Sequence, residues 1–87
     1  MQAINVLTTA VELAPAGNRD FLHVYNNSDV IIYVSYDGAV VTVAAGLPIP
    51  VGGVMVLDNT GPRNIYTKRV TAIHNSSGNK EVRIQGA

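Results

Sequence analysis

The sequence predicts an all-β protein: a compact antiparallel β-sandwich, jelly-roll-like, of about seven or eight short strands. Three observations lead there. Valine, isoleucine and threonine recur along the whole chain, and β-branched side chains suit a pleated, half-buried surface. Gly, Pro, Asn or Asp clusters interrupt them every 8 to 12 residues or so, roughly the turn spacing of sandwiches. Helical periodicity fails; its best candidate, "LTTAVELAPAG", fits alternation equally well and is stopped by Pro15 and Gly17.

Residues 5–13 read as the first strand, and residues 1–12 have the character of an extended arm or edge strand. In "RDFLHVYN", residues 19–26, Leu22 and Val24 share one face while Phe21, His23 and Tyr25 share the other. "NNSD" is a turn, because Asn, Ser and Asp side chains bond to nearby backbone. "VIIYVSY", residues 30–36, is apolar on both faces and reads as a central or interface strand with a second neighbour. Asp37-Gly38 is a strong hairpin signal leading into "AVVTVAA", residues 39–45, which Gly46 ends. In "LPIPVGG", Pro48 and Pro50 cannot both sit in a central strand, so this is an edge segment or loop. A strand at 54–59, a strand pair or one long strand over 65–75, and a strand at 80–86 complete the set, the last with Val82 and Ile84 inward and Arg83 and Gln85 outward.

The pattern strand, Asn-Ser turn, strand is written twice, in "VYNNSDVIIYV" and more loosely in "AIHNSSGNKEVRI". Two hairpins are expected from it, with Val24 and Ile32 as the inward pair of the first and Ile73 and Val82 of the second.

Composition narrows the function. The 87 residues form one domain, 1–87, near the size below which a single core needs help. Cysteine is absent, so no disulfide or thiolate site can staple it, and association with other chains is the remaining source of support. Six basic and six acidic side chains are scattered without runs, which gives no basic stripe for nucleic acid. Charged residues are only 14% of the chain against 47% hydrophobic, a surface poorly protected from association. The N-terminal stretch lacks the basic-then-apolar order of a secretory signal, and no apolar run approaches a membrane span. A soluble protein made in a cytoplasm, with neither nucleic-acid nor membrane partners, is therefore expected.

Chemistry is sparse. No nucleophile elbow, phosphate loop, dinucleotide fingerprint or zinc motif is present. His23 and His74 lack a carboxylate and a nucleophile in reach and read as half-exposed strand residues. The formal sequons at Asn26 and Asn75 read as turns. The expectation is no catalytic residue, no metal and no cofactor. The aromatic set says more: Phe21, Tyr25 and Tyr33 are placed on a common face opposite Leu22, Val24, Ile32 and Val34. A subunit interface, an ordinary core and a sugar-binding platform stay open in that order, the lack of Trp weighing against the platform.

Across nearly all of its length, the chain resembles small virion proteins of tailed bacteriophages. The resemblance lies in "LTTAVELAPAGNRDFLHVYNNSDVIIYVSYDG", "GLPIPVGGVMVLDN" and "VTAIHNSSGNKEVRIQG". It implies a structural, non-enzymatic role as a capsid decoration (cement) subunit. Such a subunit is a homo-oligomer, with a trimer as the expected order, docked on the major capsid protein or another virion protein. It would be located in the virion after assembly in the host bacterial cytoplasm. A tail, stem or fibre component is the alternative, and a carbohydrate-binding module a more distant one. On this reading Phe21, Tyr25, Ile31 and Tyr33 form the inter-subunit face, while Leu47, Ile49 and Val51 or the N-terminal strand reach a neighbour by strand addition.

Overall fold

The computed structural model describes residues 2–15, 21–36, 40–58 and 69–86. Their strands are β1 (Gln2–Val6), β2 (Val11–Ala14), β3 (Phe21–Asn26), β4 (Ile32–Ser35), β5 (Leu47–Ile49), β6 (Val54–Asp58), β7 (Val70–Ile73) and β8 (Lys80–Gly86). They form two four-stranded sheets: a front sheet in the order β1-β8-β3-β6 and a back sheet in the order β2-β7-β4-β5. Every pairing is antiparallel. Except between β4 and β5, each strand is followed by one in the opposite sheet. That interleaving is the strand order of a jelly roll, the fold class that the number of short strands and the turn spacing predict.

The core follows the alternation. Leu22, Val24, Val82 and Ile84 of the front sheet pack with Ile32, Val34, Val70 and Ala72 of the back sheet in one buried cluster. Val24, Ile32, Val70, Ala72 and Val82 are fully shielded from solvent. Arg83 and Gln85 point outward between them, as their alternation requires.

Connectivity departs from the sequence expectation in an instructive way. The two Asn-Ser segments are not hairpins. Residues 27–31 carry the chain from β3 in the front sheet to β4 in the back, and residues 74–79 carry it back from β7 to β8. Both are arches over the end of the sandwich, so the flanking strands face each other across the core. A hairpin and an arch need loops of similar length, and alternation fixes only which side chains go inward. Ile73 is accordingly not inward: it pairs beside Tyr33 on the outer face, and His74 takes the next inward position.

Two further strand expectations change. Residues 5–13 are not one strand; β1 and β2 lie at the edges of different sheets, separated by a bend at Thr8 and Thr9. Residues 40–46 are not a strand but a turn, closed by the Gly46 N–H donating to the Thr42 carbonyl at 2.8 Å. This segment folds onto the outer face of the back sheet: Val41 is buried, and its N–H donates to Thr71 Oγ1 at 3.1 Å. Gly46 sits so close to β4 that a Cβ there would fall 2.7 Å from Tyr33 Cβ. "LPIPVGG" supplies the edge strand β5, with Pro48 opposite Tyr33, then a turn closed by Gly53 N–H to Pro50 O with Gly52 at φ +75°. The expected Asp37-Gly38 hairpin, residues 19–20, residue 59 and residues 65–68 lie outside the described residues.

Candidate interaction surface

One end of the sandwich is built by two polar side chains that are entirely buried, Asn26 and His74. The Asn26 amide nitrogen donates to the carbonyls of Val30, Ile49 and Pro50 at 2.8, 2.9 and 3.1 Å. Its side-chain oxygen accepts from the Ser28 N–H at 3.0 Å and from the Ser28 hydroxyl. Its backbone N–H donates to Gly53 O, and its carbonyl accepts from Gly52 N–H. One residue thereby fastens the β3–β4 arch to the β5–β6 turn. His74 does the same work in the other arch. Its Nδ1 accepts from the Ser76 N–H at 3.0 Å while Nε2 bonds the Gly78 carbonyl at 2.8 Å, which assigns the proton to Nε2. The His74 N–H donates to Leu7 O at 3.1 Å.

These polar groups are spent on the fold. The Asn26 sequon carries an amide occupied by three carbonyls, so it is structural. His74 is buried rather than half-exposed as its strand pattern predicts, while His23 lies on the outer front face against Phe21, ring centroids 5.1 Å apart. The two histidines do not converge. Among the described residues no group of three or more His, Cys, Asp or Glu is placed to hold a metal ion. Two ion pairs lie outside the core, Lys80 Nζ to Asp29 Oδ1 at 2.9 Å and Arg83 to Glu81 at 3.7 Å.

Apolar groups occupy the outside instead. On the front sheet Phe21, His23 and Tyr25 alternate outward along β3. The register sets Val54 beside Tyr25 and Val56 beside His23, and these valines are 55% and 53% exposed. Arg83 and Gln85 of β8 flank the row on its other side. The front face is thus apolar toward β6 and polar toward β8.

The predicted interface residues do not form one surface. Phe21 and Tyr25 lie on the front face; Tyr33 lies on the back face, because β3 and β4 belong to different sheets. The second neighbour of the "VIIYV" strand is partly the chain itself, since residues 41–46 fold against Tyr33. Ile31 and Val51 are exposed on adjacent loops, and Leu47 is exposed at the start of β5. Ile49 leaves the surface set altogether: it pairs with Ile32 and is buried in the core. A half-open groove of about 430 Å³ beside β5 is lined by Val34, Ser35, Tyr36, Gly46, Leu47 and Pro48. Val54 and Val56 escaped the sequence reading, although "VMV", apolar on both faces, carries the same signal as "VIIYV".

The chain matches no known protein-family model, no curated protein and no solved structure. Its resemblance to small phage virion proteins stands on the quoted residues alone.

Proposed function

We propose that this protein is a structural subunit of a virion, a decoration or cement protein that docks on the assembled phage head and stabilises it by binding the assembled state. One observation carries the reading: on a sparsely charged jelly roll, exposed Val54 and Val56 lie beside half-buried Phe21, His23 and Tyr25 on the outer front face. Contiguous exposed apolar surface on a small domain marks a docking site. The buried polar side chains at the arch end are meanwhile committed to holding loops. The partners under this proposal are further copies of the chain and the major capsid protein or another virion protein.

Tyr25 and Tyr33 face opposite sides of the sandwich and cannot form one aromatic platform, which counts against a glycan-binding role. Quantitative mass spectrometry of intact particles tests the proposal. Hundreds of copies per particle are expected; a handful would replace the head role with a tail, stem or fibre component, and none would end the virion reading.

A further inference from the structure

We infer that copies of this chain join through the front sheet, the outer edge of β6 in one copy pairing antiparallel with β1 of the next, so that the assembly closes as a ring. The inference rests on the homo-oligomeric reading above and names the edges that make it.

The four sheet edges differ in protection. In the back sheet, β2 is broken by a register shift between Glu12 and Ala14, and β5 is three residues long with Pro48 in its middle. Bulges, charges, prolines and shortness are the usual devices that stop an edge from recruiting another strand. The front-sheet edges lack them. β1 and β6 are each five residues long, and each keeps an unbroken register with its inner neighbour. Neither contains proline, and the only charged residue in the two is Asp58, at the end of β6. Among the described residues no strand covers either edge.

The second copy fits for three reasons. First, four antiparallel strands make β1 and β6 run in opposite directions. A β6–β1 junction therefore continues the alternation and relates copies by rotation about an axis along the strands. Such head-to-tail contacts form a ring where the rotation closes, and a closed ring leaves no front edge unpaired. Second, the faces match in a specific register. Inward Met55, buried, falls opposite inward Ile4 of the next copy, extending the core across the junction. The same register places outward Val56 opposite Ala3 and outward Val54 opposite Asn5 of the next copy; a one-residue slip would set inward against outward. Third, those paired residues are uncharged and the chain has a formal net charge of zero, so copies meet without repulsion.

The absence of cysteine makes the test direct. The wild-type chain is expected to run in native mass spectrometry as a single cyclic multiple of 9.2 kDa. Val56→Lys and Ala3→Lys, each placing a charge at the junction, are expected to shift it to the 9.2 kDa monomer with unchanged far-ultraviolet circular dichroism. The Ala3→Cys/Val56→Cys double variant is expected to oxidise to a covalent ladder ending at the ring, while Val56→Cys alone stays uncrosslinked. Efficient dimers from Val56→Cys alone would overturn the inference in favour of a two-fold β6–β6 pair. A multimer that survives both lysine variants would also overturn it, leaving homo-oligomerisation intact through another surface. A wild-type monomer at all concentrations would overturn both, whatever the copy number in particles.

Discussion

Asn26→Ala isolates what holds the arch end together. In the native chain two N–H groups serve three carbonyls, one of them, Ile49 O, in a fully buried bond. Truncation takes this donor away from Ile49 O, a buried acceptor, at a cost of about 1–3 kcal/mol. The bonds to Val30 and Pro50 and the Ser28 N–H contribute about 0.5–1.5 kcal/mol each, since water can reach their partners. The expected loss is about 2.5–7.5 kcal/mol out of the roughly 4–13 kcal/mol available to a domain of this size. The melting temperature should fall by more than about 10 °C, at roughly 4–8 °C per kcal/mol. Urea unfolding followed by circular dichroism at neutral pH measures the loss, with Asn27→Ala as the control, because Asn27 donates to the Glu81 carboxylate across a part-buried contact. Asn26→Asp is the sharper variant. It keeps the volume and the acceptor but cannot donate to three carbonyls, so it should be at least as damaging as alanine. A loss under about 1 kcal/mol, or an aspartate variant as stable as wild type, would refute the assignment of stability to these donated bonds.

Other expectations follow from the same geometry. His74→Ala should cost about 2–4 kcal/mol by the same urea assay, as it orphans the Ser76 N–H and the Gly78 carbonyl. His74→Asn should recover a measurable part of that loss, because Asn26 makes the same two bonds in the other arch. Gly46→Ala should destabilise by about 1–3 kcal/mol through the clash with Tyr33 and Val41. Gly52→Ala, at φ +75° in open space, should cost only about 1 kcal/mol of backbone strain. The hydrogen bond from Lys80 holds the Asp29 carboxyl below the usual carboxylate value. Its folded-state value being lowered, this ion pair favours folding above the ordinary carboxylate range and is lost as pH falls through the lowered one. The stability difference between wild type and Asp29→Asn should therefore narrow on acidification below about pH 4.

The inward and outward sets were readable because strand periodicity is rigid: Leu22, Val24, Ile32, Val34, Val82 and Ile84 are all core residues. The edge position of β5 was readable from Pro48, which has no N–H to give a ladder. Which strand pairs with which was not. Alternation assigns a face and is silent about the sheet, so Phe21 and Tyr33 looked like neighbours while lying on opposite sides of the molecule. Residues 40–45 misled for a related reason. Their valines favour a strand, but Gly46 permits an approach to β4 that turns the segment flat onto the back sheet. Of the expected interface residues on these loops, Ile31, Leu47 and Val51 are exposed and Ile49 is buried, because it pairs across the strands with the core residue Ile32.

Asn26 and His74 share more than burial. Each accepts from the N–H two residues on and donates to the carbonyl four residues on. Their arches join β3 to β4 and β7 to β8, and these are the four inner strands of the two sheets. Each arch closes only a few residues of chain, whereas bringing β8 beside β3 closes more than fifty. Closure entropy grows slowly with loop length but must be met before distant contacts form. Folding is then expected to be a docking of two locally closed pieces, with the rate set by their encounter. Substitutions at Val24 and Ile84, which meet across that junction, should slow refolding. Those on β1, an edge strand, should mainly hasten unfolding.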